Sequence, residues 1–317
     1  FLNYWSNHII KNGQVLNVAL IQGSISQKIK FDPEHEKKSQ KIHLNLLKSA
    51  TEKSKDIDVF VLPETAFTRP WKELNPIIYR EVEELLERNN SVMLTGIPQR
   101  INGNWTNSLI ALKKTQYSNL DIFNTYDKYH LVPFGEFIPW GFKWFVDMMN
   151  IPLGNFKRGE LPQRPIKIND QFIGVNICFE DLFGQEIAYI FSSKSKYENP
   201  SILLNISNLA WFGNTNALDY HLKASRMRSL ETGRPMIRST NTGITASIDH
   251  KGRILESLEP MKSDFLLTKV QGTKGQTIYN ITTDYIILVL SSIVLLYTFI
   301  TSNKNLYSRI IKKLDHK

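Results

Sequence analysis

A chain of 317 residues, 42 % hydrophobic and 22 % charged, is long enough for one large domain or two small ones and has the composition of a globular protein. That excludes a disordered chain, a collagen-like fibre and a polytopic membrane bundle. The 39 Lys and Arg against 30 Asp and Glu give a net charge of +9, which suits an anionic partner such as nucleic acid or a phospholipid surface, although the excess is not sharply localised.

The chain opens on Phe1, and residues 1–15 lack the charged and apolar succession of a signal peptide. Residues 1–13 are read as a linker or the tail of a preceding membrane region. Apolar runs at 15–21, 59–62, 92–97, 109–112, 172–177, 202–204 and 236–237 predict strands. Between them, Ile42, Leu46 and Leu47 share one helical face, as do Val82, Leu85 and Leu86, and Leu218, Leu222 and Met227. Strands alternating with helices predict an α/β layered domain over 14–280, with no internal repeat. Residues 285–300 then carry no charge and only Ser291, Ser292 and Thr298 as clearly polar groups. A spanning helix needs about 20 residues, with a lower limit near 17. Asp284 precedes this segment, and the last seventeen residues set five basic side chains against Asp315. These flanks predict a transmembrane helix over 284–302 and a basic cytoplasmic tail over 303–317, with the domain on the outer face. A buried core helix is the alternative.

Three residues lie where chemistry is feasible. Cys178 is the single cysteine, which excludes an intrachain disulfide and a cysteine zinc cluster. It closes the apolar run 172–177, so a sharp turn there would present its thiol at a sheet edge. A free cysteine is otherwise among the most buried and inert residue types. Glu64 follows the apolar run 59–62 and Pro63, which holds it at a strand end; a solvated loop carboxylate or a helix-capping role is the plain alternative. Lys128 lies in an aromatic, Pro- and Gly-containing stretch unlike a simple exposed loop. No Gly-rich phosphate loop is present, and no His/Cys pair has metal-ligand spacing.

The order Glu64, Lys128, Cys178 resembles the triad of the carbon–nitrogen hydrolase (nitrilase) superfamily. Within it the chain resembles the bacterial apolipoprotein N-acyltransferases. Residues 130–139 read His-Leu-Val-Pro-Phe-Gly-Glu-Phe-Ile-Pro, a stretch more specific than the triad. Residues 205–213 read Asn-Ile-Ser-Asn-Leu-Ala-Trp-Phe-Gly, and the match continues through His221, Arg226, Arg228, residues 231–235 and residues 239–243. The resemblance covers about residues 15–300. It implies an α-β-β-α sandwich followed by one C-terminal transmembrane helix. That family carries membrane helices ahead of this domain, so the resemblance also implies a chain that lacks most of them. Three residues depart from its pattern: Leu209 where Asp is usual, Phe179 where Tyr is common and Phe31 where Trp is frequent.

The resemblance implies a catalytic Glu64, Lys128 and Cys178 with no cofactor and no metal. Cys178 would take a fatty acyl chain from a phospholipid donor as a thioester. It would then pass the chain to the α-amine of a diacylglyceryl-lipoprotein acceptor. The expected setting is the bacterial inner membrane, with the domain on its periplasmic face, the chain a monomer, and no nucleic acid bound. A free thiol and a free Glu differ enough that moving the proton between them would cost about 5.7 kcal/mol. Burial is therefore expected to raise Glu64, and the charge of Lys128 to lower Cys178 and to stabilise an oxyanion. The Phe179 N–H is the expected second oxyanion donor. Glu136 and Glu180 are expected as supporting acids. Phe31, Phe134, Phe137, Trp140, Asn208, Trp211 and Phe212 are candidate lipid or substrate contacts, though aromatic clusters are as often core, and Asn205, Ser207 and Asn208 also fit plain turn roles. His130 is read as structural. Two rivals stand: a soluble amidase or nitrilase using water, and an inactive membrane-anchored fragment.

Overall fold

The computed structural model describes residues 9–26, 33–101, 103–115, 120–138, 156–192 and 195–314. Two six-stranded sheets form its centre. The first has the order β12-β1-β2-β3-β4-β5 and the second β11-β10-β9-β8-β7-β6. The first comprises β1 (Ile10–Gln22), β2 (Val59–Val61), β3 (Val92–Ile101), β4 (Asn104–Lys114), β5 (Leu120–Asp127) and β12 (Asp264–Lys274). The second comprises β6 (Ile166–Ile168), β7 (Gln171–Ile177), β8 (Ile202–Ser207), β9 (Met236–Thr240), β10 (Ala246–Ile248) and β11 (Ile254–Ser257).

The period-2 alternation of the strands produces the layering. Val18 and Leu20 of β1, and Val59 and Val61 of β2, pack between the sheets against Ile173, Ile177, Leu204 and Ile206. Their neighbours Ala19, Ile21 and Phe60 face the other way. There they meet Leu44 and Leu47 of α1 (Pro33–Lys53) and Val82, Leu85 and Leu86 of α2 (Pro76–Asn89). On the far side, Leu203, Met236 and Ile248 pack against Leu222 of α4 (Ala217–Thr232). This is the α-β-β-α order expected. Each apolar run read as a strand lies on one. β5, β6, β10, β11 and β12 carry no comparable run and are additions.

Local chemistry sets the helix ends. Asn75 Oδ1 accepts from the Ile77 N–H (2.9 Å), Pro76 opens α2, and Asn90 closes it in the left-handed region. α4 departs from the predicted face. Leu218 and Leu222 are buried, but Met227 is exposed, and the buried stripe continues through Ser225, Ser229 and Thr232. The polar stripe is there because α4 packs on buried Arg238 rather than only on apolar strands.

The short helix α3 (Gly184–Tyr189) follows the turn after β7. Near the C-terminus, α5 (Ile278–Thr282) leads into α6 (Tyr285–Leu314). Residues 285–302 of α6 are long and apolar enough to cross a membrane, and none of that window is buried against the rest of the protein. A buried core helix is thereby excluded for this segment.

Candidate active site

β2, β7 and β8 run parallel to their neighbours β1, β3 and β9, and their C-terminal ends gather on one edge of the sandwich. Glu64, Lys128 and Cys178 each come from such an end or from the end of β5. Glu64 follows β2 across Leu62 and Pro63. Lys128 is the residue after β5, and Cys178 the residue after β7.

Glu64 is fixed by close backbone packing. The Ala66 N–H donates to the Gly96 carbonyl (2.9 Å), and Thr65 is left-handed, with φ 51°. A Cβ at Gly96 would lie 2.5 Å from Glu64 Cα and 2.6 Å from the Pro63 carbonyl oxygen, so β3 needs glycine here. Lys128 extends the β4–β5 ladder: its N–H donates to Asn107 O (2.8 Å) and its carbonyl accepts from Gly159 N–H (2.9 Å). Its side chain is 1 % exposed. Cys178 has φ 54°, a conformation that non-glycine residues adopt at a cost of about 1–3 kcal/mol and that clusters at functional turns. It opens a 3-10 turn, Cys178–Leu182, and stays partly accessible.

The side chains converge. Lys128 Nζ donates to Glu64 Oε1 at 3.1 Å and to Glu136 Oε1 at 3.0 Å. Asn107 Nδ2 bridges the same two oxygens, at 2.8 Å to Glu64 and 2.6 Å to Glu136. Glu64 Oε2 accepts from the Asn208 N–H (2.8 Å), and Glu136 Oε2 from the Val132 N–H (2.8 Å). Two carboxylates thus flank one buried ammonium. Burial alone would lower the Lys128 ammonium, but Glu64 and Glu136 outweigh it and hold it above the ordinary range.

The thiol behaves differently from the expectation. Burial raises the Cys178 thiol, and the Glu64 charge raises it further; Lys128 and the Asn208 N–H oppose this without reversing it. The chief reason is that burial disfavours the thiolate, and Lys128, itself paired with two carboxylates, offsets only part of that. Cys178 therefore rests as a thiol.

Glu180 lies behind Cys178 rather than beside Lys128. Its Oε2 accepts from the Ile177 N–H (2.6 Å), and its Oε1 from the N–H groups of Tyr129 (2.7 Å) and His130 (3.1 Å). The Tyr126 hydroxyl donates to it as well (3.0 Å). One carboxylate therefore ties the start of the Cys178 turn to the loop after Lys128. Burial pushes Glu180 up to about 7, against those backbone donors.

His130, read as structural, has its Nδ1 2.8 Å from Glu186 and its ring stacked on Phe183 at 3.5 Å. Phe179 packs edge-on to both rings. Phe137 is half-buried beneath the Arg158 guanidinium (5.6 Å), while Phe134 is exposed with φ 60°. Trp211 and Phe212 form an exposed 3-10 turn after β8, with Trp211 71 % exposed, so they are not core. Asn208 is buried, its Oδ1 accepting from Asn241 Nδ2 (2.9 Å). Leu209 is buried, with its Cδ1 close against Gly243, where an added Cβ would lie 2.8 Å away. Phe31 and Trp140 lie outside the described residues.

Asn107 was missed: Thr106, Asn107 and Ser108 form a polar run in β4 whose burial only the structure shows. A second missed group packs against the Cys178 turn. Arg238 Nη1 donates to Ser225 Oγ (2.6 Å) and His221 O (3.0 Å), and Ser225 Oγ donates to Asp181. Arg238 Nη2 lies 3.1 Å from His221 Nδ1. Burial, with Arg238 beside it, lowers His221 to about 3 and keeps it neutral.

A model of the carbon–nitrogen hydrolase family matches residues 17–279. The apolipoprotein N-acyltransferase of Bordetella bronchiseptica is 38 % identical over 279 residues, covering 84 % of this chain and 51 % of that protein. That of Ralstonia nicotianae is 40 % identical over 270 residues, covering 84 % and 49 %. This chain spans about half the length of these curated relatives. The carbon–nitrogen hydrolase from Helicobacter pylori G27 shares the fold, with a TM-score of 0.57 at 16 % identity over 81 % of this chain and 89 % of that one. With its α-β-β-α layers and its match over 17–279, the chain belongs to the carbon–nitrogen hydrolase family.

Proposed function

We propose that this chain is the acyl-transferring part of an apolipoprotein N-acyltransferase, with Glu64, Lys128 and Cys178 as its triad. The observation that carries the reading is the buried Lys128–Glu64 pair, whose two charges both act on the Cys178 thiol, in a domain that runs directly into an exposed membrane-length helix. The names of the relatives at 38–40 % identity supply the substrate class.

In the first half-reaction Cys178 Sγ attacks the ester carbonyl carbon of a phospholipid while its proton passes to Glu64. The C–S bond forms, and the carbonyl oxygen becomes an oxyanion facing Lys128 Nζ, with the Phe179 N–H as a second donor. Collapse breaks the C–O bond. The lysophospholipid leaves with the proton held by Glu64, and a thioester remains. In the second, the α-amine of a diacylglyceryl-lipoprotein attacks the thioester and gives its proton to Glu64. The thiol is restored as the amide forms. Because Cys178 rests as a thiol, its deprotonation is coupled to attack. Glu136 and Asn107 keep Lys128 aimed, and Glu180 holds the turn. Phe134, Phe137, Trp211 and Phe212 are offered as lipid contacts. The C-terminal helix crosses the bacterial inner membrane, with the domain on the periplasmic face.

The test is transfer of a labelled acyl chain from phosphatidylethanolamine vesicles to a synthetic diacylglyceryl-cysteine peptide. Acyl-peptide formation lost in Cys178→Ala supports the reading. Release of free fatty acid or ammonia from simple amides, with no acyl-peptide, would instead make this a hydrolase.

A further inference from the structure

The nucleophile turn is tied to the start of the C-terminal helix by a short series of polar contacts. Arg228 of α4 donates through Nη1 to the Asp181 carbonyl (3.2 Å), inside the Cys178–Leu182 turn, and through Nη2 to Glu231 Oε1 (2.7 Å). Glu231 in turn accepts, at its backbone carbonyl, from the Thr277 hydroxyl (2.5 Å) that caps α5. Tyr279 of α5 donates its hydroxyl to Asp284 Oδ1 (3.0 Å), and Gln185 of α3 donates to Asp284 Oδ2 (2.6 Å). Asp284 is the residue before α6, and its carbonyl accepts from the Leu288 N–H (3.0 Å).

The two ends meet over Gly184. A Cβ there would lie 2.5 Å from the Tyr279 hydroxyl oxygen and 2.9 Å from both Cζ and Nη1 of Arg228. Gly184 has no left-handed backbone to explain it, so its lack of a side chain serves this approach. Only Phe183 separates Gly184 from the nucleophile turn. None of these contacts involves Lys128 or Glu64, and the triad chemistry uses none of them.

We propose that Arg228, Tyr279 and Asp284 are positioning residues that couple the seating of the C-terminal helix to the placement of Cys178. Cys178 holds a left-handed backbone, which persists only when its surroundings over-determine it. Arg228 supplies part of that constraint, and Asp284 holds α5 and α3 against Arg228. A shift of α6 relative to the domain would then reach the thiol through one packed path. This deepens the acyl-transfer reading and rests on it for the direction of its effect on turnover.

The test uses the single cysteine. In the full chain in phospholipid nanodiscs, iodoacetamide alkylation followed by intact mass reads Cys178 alone and needs no acyl donor. Arg228→Met and Asp284→Ala are each expected to slow alkylation about fivefold and acyl-thioester formation about tenfold, with the phospholipid KM unchanged within twofold. The double variant is expected to be no slower than the slower single one, because both break one path. Arg228→Lys, which keeps a donor for the Asp181 carbonyl, is expected to recover most of the rate, and Tyr279→Phe to lie between. A structural role alone would lower the melting temperature without this shared, non-additive loss. Rates that multiply in the double variant, a change confined to KM, or wild-type alkylation in Asp284→Ala and Tyr279→Phe would overturn the coupling. A wild-type chain that alkylates normally but never acylates would count against the acyl-transfer reading, while the alkylation series still decides the coupling.

Discussion

Lys128 and Glu136, eight residues apart, form a buried ion pair with Nζ 3.0 Å from the carboxylate, beside the 3.1 Å contact that the same Nζ makes to Glu64. Removing one partner of such a pair strands the other charge, at about 3–5 kcal/mol. Glu136→Ala is therefore expected to lower unfolding free energy by about 3 kcal/mol and to abolish acyl-enzyme formation. Glu136→Gln keeps an oxygen acceptor for Lys128 and Asn107. It should fold close to wild type yet acylate at least about tenfold more slowly. Thermal melts beside single-turnover acylation separate these outcomes; full activity in Glu136→Gln would remove Glu136 from the account.

Gly96 faces the Glu64 backbone with no room for a methyl group. Gly96→Ala must displace Glu64 or bend β3, and overpacking of this kind costs about 1–3 kcal/mol. The expected result is a folded protein with a lowered melting temperature and acylation reduced at least as much as in Glu64→Gln. A Gly96→Ala chain of normal activity would show that the Glu64 position tolerates a shift.

Glu64, Lys128 and Cys178 stood out as candidates because each follows an apolar run or lies in a stiff loop, and strand ends are where a sheet exposes side chains. The sandwich was legible from alternating strands and helices together with the resemblance. What escaped has physical reasons. β12 pairs with β1 across more than 240 residues, and no local signal encodes such a partner. The Met227 face failed because α4 buries Ser225 and Ser229 against Arg238, so its inward side is polar. Asn107 sits mid-strand, where a polar residue reads as solvent-facing until the opposite layer is known. The direction of the Cys178 shift is set first by burial and then by the Glu64 charge, and neither the burial of a strand-end thiol nor its distance from Glu64 can be read from spacing alone.

His221 supplies the clearest pH dependence. Its folded value of about 3 lies below the unfolded value near 6.5, so the unfolded chain binds more protons between those limits. The stabilisation it provides is present above pH 6.5 and is lost as pH falls toward 3. The expected loss from this group is about 2 kcal/mol between pH 6.5 and 5. Glu180 and Asp181, raised to about 7 and about 6, act with the opposite sign: their contribution is present at low pH and lost as pH rises through those values. His221→Gln should therefore flatten the acid side of the stability profile, although its stability at pH 7.5 falls. An unchanged acid limb in urea titrations at pH 5, 6 and 7.5 would show that His221 is not held neutral.

Residues 285–302 leave their apolar side chains uncovered, which a helix in water does not sustain. The chain is expected to sediment with membranes and to resist alkaline carbonate. Paired changes Leu290→Asp and Leu295→Asp should release it to the soluble fraction. A wild-type chain that carbonate extracts would contradict a spanning helix.

The central claim is that Cys178 carries the acyl group. Intact-protein mass spectrometry of the membrane-purified chain, before and after neutral hydroxylamine, tests it most directly. The account predicts a fatty-acyl mass increment on the wild type that hydroxylamine removes, and no increment on Cys178→Ala. An increment that survives in Cys178→Ala, or its absence from folded wild-type chain supplied with phospholipid, would contradict the claim.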